Sequence, residues 1–215
     1  GVWSRQLLHS QGVIKSLSND PRFVSLNNTV VKVQVGADAL LHCLTTSTTG
    51  GQVSWVRKRD YQLLTVGLKV HSSDDRFTMR YKSWDWQLFV RHVQLRDAGI
   101  YECQVTSHPP TSLFVHLHVI QPKAEILGAP EKHVKLGSML RLVCVMHDTT
   151  QPPKYVYWYR DNEVINYQAE KDIMVESDDH TSVLLISEAK VQQSGNYTCA
   201  PSNVLGASIS VHILD

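Results

Sequence analysis

Long apolar runs, close-set metal ligands and a dominant charge are all missing from this 215-residue sequence. No stretch approaches the ~18 apolar residues of a membrane-spanning helix, so attachment to a bilayer is expected to lie outside this chain. No secretory leader opens it, and the expectation is a mature or trimmed ectodomain. The formal charge is only +1, divided as 13 basic and 8 acidic residues over 1–121 against 8 and 12 over 122–215. That balance argues against nucleic acid, which calls for a concentrated basic face interleaved with stacking aromatics. There is no Gly-x-Ser-x-Gly elbow, His-Glu-x-x-His pair, Gly-x-Gly-x-x-Gly turn or Gly-Lys-Ser/Thr phosphate cradle. Neither an enzyme nor a cofactor is therefore expected.

Cysteine is scarce, with four in all and none in the close Cys-x-x-Cys or Cys/His spacing of a zinc site. Their placement is informative. Asp97-Ala98-Gly99-Ile100-Tyr101-Glu102-Cys103 carries a tyrosine two residues before a cysteine, and Gln193-Ser194-Gly195-Asn196-Tyr197-Thr198-Cys199 repeats the glycine, tyrosine and cysteine 96 residues later (199 − 103). Upstream, Cys43 precedes Trp55 by twelve residues and Cys103 by sixty, while Cys144 precedes Trp158 by fourteen and Cys199 by fifty-five. Two Cys…Trp…Cys frames, each with a tyrosine at the corner before strand F, define two tandem immunoglobulin-like β-sandwiches and an all-β chain. Four cysteines allow three pairings, and only Cys43–Cys103 with Cys144–Cys199 keeps each bridge inside one repeat. Such bridges belong to an oxidising compartment, hence an extracellular, cell-surface address. Two glycosylation acceptors agree, at Asn27 and Asn196. Both are expected to lie clear of any recognition face: Asn196 is in the second domain, and Asn27 is in the early strand A region, away from strands C, F and G.

The expected organisation is a lead segment over 1–20, a first domain over 21–120 and a second over 121–215. Strand A and its continuation run from Phe23 to Val35, and Thr45–Gly51 form the B–C loop. The interval from Trp55 to Cys103 is 48 residues, against 41 from Trp158 to Cys199. The first domain therefore has room for two further edge strands over Tyr61–Val70, which makes it variable-like. Arg76 is placed to pair with Asp97 across the bottom of that sandwich. The second domain has Gln193 in place of Asp97 and reads as intermediate or constant-like.

Sandwich sheets normally show polar residues to solvent, so apolar residues on the outward parity are informative. With Trp55 inward, Val56 and Lys58 point outward on strand C. Leu113, Val115 and Leu117 share the inward parity of strand G, leaving Phe114, His116 and His118 outward. Together with Leu64 or its neighbour Leu63 on C′, these residues make an apolar centre. Lys58, Gln62, Glu102, Gln104, Thr106 and His116 interleave with it, the anatomy of a protein interface on the GFCC′C″ sheet. Leu64 and Phe114 are the expected anchors, pointing away from the Trp55 core. Two other readings are weaker. His116 and His118 share a face but lack the further ligands of a metal site, and alternation splits Arg57-Lys58-Arg59 across two faces rather than gathering a heparin patch.

One family matches these residues. Val53-Ser54-Trp55-Val56-Arg57-Lys58-Arg59-Asp60, Leu63-Leu64-Thr65, Asp75-Arg76-Phe77, Asp85-Trp86-Gln87-Leu88 and Arg96 through Val105 resemble the first domain of the insect Dpr (defective proboscis extension response) family. Tyr155-Val156-Tyr157-Trp158, Val164-Ile165-Asn166-Tyr167 and Ser194 through Cys199 resemble its membrane-proximal domain. The resemblance spans about residues 22–215. It implies a neuronal receptor that binds immunoglobulin proteins of the Dpr-interacting type on opposing cells, through the GFCC′C″ faces of both first domains, in synaptic partner choice. Met79–Trp84 and the turn Ser107-His108-Pro109-Pro110 depart from the family pattern, and they bear on which partner is chosen. The same face could also serve a weak homodimer or cis-acting adhesion, and the same domains without an anchor would form a soluble decoy.

Overall fold

The computed structural model describes residues 22–46, 52–107 and 109–215. The lead segment and the tip of the B–C loop lie outside the described residues. The chain divides into two compact units, Gly1–Val119 and Ile120–Asp215.

In the first unit the strands are β1 (Thr29–Gln34), β2 (Ala39–Leu41), β3 (Gln52–Arg57), β4 (Gln62–Val66), β5 (Lys69–Val70), β6 (Phe77–Lys82), β7 (Asp85–Val90), β8 (Gly99–Thr106) and β9 (Thr111–Ile120). Among the described residues they form a six-stranded sheet in the order β1-β9-β8-β3-β4-β5, facing a three-stranded sheet β2-β7-β6. Strands β4 and β5 are the extra C′ and C″ edges. Alternation packs Leu41, Val53, Trp55, Leu88, Val90, Tyr101, Val105, Leu113 and Val115 between the sheets, where each is at most 1% exposed. The bridge Cys43–Cys103 joins them. The Trp55 indole N–H donates to the Trp86 carbonyl at 3.0 Å, so the largest core ring carries no unsatisfied donor. Strand A is split rather than continuous: Phe23 bridges Thr45, and only from Thr29 onward does the chain run in the other sheet, beside β9.

The bottom of this sandwich is closed by charge. Arg76 donates to both oxygens of Asp97, at 2.7 and 3.0 Å, and its other edge reaches Asp74. Burial pushes the Asp97 carboxyl up, but hydrogen bonds from Arg76 and the Gln94 N–H outweigh it and hold the group below its usual range. The Tyr101 hydroxyl donates to the Asp97 carbonyl at 2.7 Å. Burial first, and the Asp97 charge second, push this phenol up to about 12.

The second unit contains β10 (Lys123–Ile126), β11 (Glu131–Lys135), β12 (Leu140–His147), β13 (Val156–Arg160), β14 (Glu163–Val164), β15 (Ile173–Ser177), β16 (Thr181–Ile186), β17 (Gly195–Pro201) and β18 (Ala207–Leu214). The sheets are β10-β12-β16-β15 and β11-β18-β17-β13-β14, with the bridge Cys144–Cys199 between them. Trp158 is buried and donates to the Ser182 hydroxyl at 3.0 Å. Its corner repeats that of the first unit with an amide in place of a carboxylate. The Tyr197 hydroxyl donates to the Gln193 carbonyl at 2.5 Å, and the Gln193 side chain donates to Asp172 at 3.0 Å.

Candidate recognition face

The outward side of the six-stranded sheet is built in rungs. Leu63 on β4 lies opposite Val56 on β3, Val56 opposite Glu102 on β8, and Glu102 opposite Phe114 on β9. One line of four residues therefore crosses four strands. The rung toward the B–C loop end carries Ser54, Gln104 and Ser112. On the other side, the Lys58 N–H donates to the Ile100 carbonyl at 3.0 Å, and Ile100 pairs with His116.

Lys58 organises the middle of this face. Its ammonium lies 4.7 Å from the Tyr61 ring centre, 5.7 Å from that of Phe114 and 3.7 Å from a Glu102 carboxylate oxygen. A cation over two rings and beside a carboxylate holds Tyr61, Phe114 and Glu102 in one cluster. Glu102 is further fixed by the Ser112 hydroxyl, which donates to it. Around this cluster Leu63, Ile100 and Tyr61 are exposed, while Val56, Gln104, Phe114 and His116 are half-buried and Thr106 is exposed. Among the described residues no group of three or more His, Cys, Asp or Glu side chains is set to hold a metal ion. The His116 ring nitrogen instead meets the Asn28 side chain at 3.3 Å.

Two expected site residues fall elsewhere. Leu64 is 0% exposed and belongs to the core. The register between β3 and β4 shifts between Trp55 and Val56, with Trp55 opposite Thr65 but Val56 opposite Leu63. Leu64 is the extra residue of a β-bulge, so both Leu64 and Thr65 turn inward and Leu63 takes the outward place. Gln62 lies opposite Arg57 and accepts from its guanidinium at 2.5 Å, while Asp60 accepts from the same guanidinium with both oxygens, at 2.8 and 3.0 Å. Cross-strand partners share a face, so Gln62 sits on the side of Arg57 and not of Val56. The Arg57 hydrogen bond holds the Asp60 carboxyl down at about 2.

Two residues of the face were not anticipated. Ile100 shares the parity of Glu102 and Gln104, and that periodicity was available in the sequence. Tyr61 sits in the β3–β4 turn with a positive φ of 54°, where no strand period announces it.

Asn27 also departs from expectation. Its side-chain oxygen accepts the Phe114 N–H at 2.8 Å, and the Asn28 N–H donates to the Phe114 carbonyl at 2.9 Å. The acceptor site therefore lies against strand G, because the chain has crossed to the sheet of β9 by this point. Asn196 is exposed on β17.

The tandem, disulfide-bridged sandwiches define a cell-surface adhesion or recognition module. Family models agree: an immunoglobulin V-set domain matches residues 26–120 and an immunoglobulin domain matches 123–203. The chain belongs to the immunoglobulin superfamily. It is 28% identical over 203 residues to "Zwei Ig domain protein zig-8" of Caenorhabditis elegans, across 87% of this chain and 74% of that protein. It spans half or less of other curated relatives, such as human IgLON family member 5 at 50%. A chain of the crystal structure of Dpr2 Ig1-Ig2 in complex with DIP-Theta Ig1-Ig3 is 32% identical, covering 90% of this chain and 98% of that one, with a TM-score of 0.44. A chain of Dpr1 IG1 bound to DIP-eta IG1 is 36% identical, covering 46% of this chain and 95% of that one, with a TM-score of 0.44. The resemblance to the Dpr family thus extends over most of the chain.

Proposed function

We propose that the protein is a neuronal cell-surface receptor whose first domain binds an immunoglobulin protein on an opposing cell through the outward face of β9, β8, β3 and β4, in synaptic partner specification. The observation that supports this most directly is the rung Leu63–Val56–Glu102–Phe114, with Lys58 between the Tyr61 and Phe114 rings. A solvated sheet face would alternate to polar residues here; this one sets aliphatic and aromatic side chains at its centre and charges among them. Solved structures that share 36% and 29% identity with this chain are named as complexes of one immunoglobulin domain with another, which supports a heterophilic partner of that class. A contact of this kind buries about 800 Å² per partner, and its energy concentrates in a few central anchors. Leu63, Ile100 and Phe114 are the anchors, with Gln104 hydrogen-bonding beside them and Thr106 and His116 toward the rim.

Surface plasmon resonance against a panel of immobilised Dpr-interacting-protein ectodomains tests the reading. Phe114→Asp and Ile100→Asp should keep the wild-type circular dichroism and melting temperature. Both should lose binding by more than a hundredfold, because a carboxylate would be desolvated without a partner. Wild-type binding by both variants would refute the face. Light scattering of the 215-residue chain alone tests the homophilic alternative.

A further inference from the structure

The sequon Asn27-Asn28-Thr29 is joined to Phe114, one of the anchors of the proposed face. The Phe114 N–H donates to the Asn27 side-chain oxygen at 2.8 Å, the Asn28 N–H donates to the Phe114 carbonyl at 2.9 Å, and the Asn28 side chain meets His116 at 3.3 Å. Both main-chain groups of Phe114 are thus held by the acceptor segment. The nitrogen that would carry a sugar belongs to the same planar amide as the bonded oxygen. A glycan on it starts one amide width from the Phe114 backbone, at the flank of β9.

We propose that an N-linked glycan on Asn27 attenuates partner binding, making the glycosylation state of this one residue a control on the recognition face. This inference rests on the function proposed above. In the modification, the Asn27 amide nitrogen attacks the anomeric carbon of a lipid-pyrophosphate-linked oligosaccharide. An N–C bond forms, the anomeric C–O bond to the pyrophosphate breaks, and one amide proton leaves with the pyrophosphate. The side-chain oxygen is untouched, so a glycosylated Asn27 still accepts the Phe114 N–H and the fold accommodates both forms. Asn27 is half-buried in the turn that leads into β1. A sugar there must extend into solvent beside Phe114, and a partner that covers Phe114 has to displace or confine it. Confinement of a mobile chain at an interface opposes association without altering any direct contact.

The test compares three forms of the 215-residue chain secreted from glycosylating cells. Mass spectrometry first establishes that Asn27 is occupied in the wild type. Thr29→Ala destroys the sequon while keeping Asn27 and its bond to Phe114, and Thr29→Ser keeps the sequon. Against the Dpr-interacting-protein ectodomain that binds the wild type, Thr29→Ala should bind roughly tenfold tighter, and Thr29→Ser should bind like the wild type. An unoccupied Asn27, or equal or weaker binding by Thr29→Ala, would overturn the inference. Phe114→Asp, run alongside, separates this from failure of the underlying reading. If it binds like the wild type, the face itself is misplaced; if it loses binding while Thr29→Ala is unchanged, only the glycan's role is.

Discussion

Two adjacent leucines of β4 should trade the roles that simple alternation gives them, and alanine at each position measures this. Leu64 is 0% exposed among core residues, whereas Leu63 is 39% exposed on the outward rung. Leu64→Ala removes buried methyl groups and leaves a void, costing about 2–5 kcal/mol. For a domain of this size each kcal/mol lowers the melting temperature by roughly 4–8 °C, so the first unit should melt at least about 8 °C lower. Leu63→Ala removes groups already in water and should change stability by less than about 0.5 kcal/mol. On the binding side the order reverses. Loss of a central aliphatic anchor should cost about 1–2 kcal/mol, five- to thirtyfold in Kd. Differential scanning calorimetry and surface plasmon resonance on the two variants read both quantities. A stable Leu64→Ala beside a destabilised Leu63→Ala would place the bulge elsewhere, and a Leu63→Ala that melts and binds like wild type would remove β4 from the face.

The charged corner and the tyrosine corner offer two more measurements. Arg76→Ala strands the Asp97 carboxylate at 1% side-chain exposure and should cost about 3–5 kcal/mol in denaturant titration; a change below 1 kcal/mol would mean the pair contributes nothing net. The Tyr101 phenol is raised from 10 to about 12 in the folded state. Its contribution is therefore complete below pH 10 and drains as the pH climbs from 10 to 12. Tyr101→Phe should flatten part of that alkaline decline in unfolding free energy, and an unchanged slope would contradict the assignment.

Much of this was legible in the residues because it depends on local period and fixed spacing. The Cys…Trp…Cys frames, the corner tyrosines, and the outward parity of Val56, Glu102, Gln104 and Phe114 all follow from alternation about Trp55, Cys103 and Leu113. What escaped depends on partners far along the chain. Alternation assumes an uninterrupted pleat, and the bulge that turns Leu64 inward exists only because β4 must register against β3. Gln62 looked like a face residue until Arg57 claimed its amide. Asn27 looked remote because strand A was read as one piece, whereas it changes sheets between Phe23 and Thr29. Tyr61 lies in a turn, where neither period applies.

The two corners also give the halves of the molecule different tolerances to acid. Asp97 is depressed in the folded state, so the stability it confers is present above the ordinary carboxylate range and fades as the pH falls through its folded value. The matching position in the second unit is an amide, and Gln193 has no proton to gain there. Acidification should therefore loosen the first sandwich through the Arg76–Asp97 pair, an arginine–carboxylate lock that the second replaces with Gln193. In a compartment acidic enough to protonate Asp97, the first unit would lose the Arg76–Asp97 pair, where the second has Gln193 bonded to Asp172.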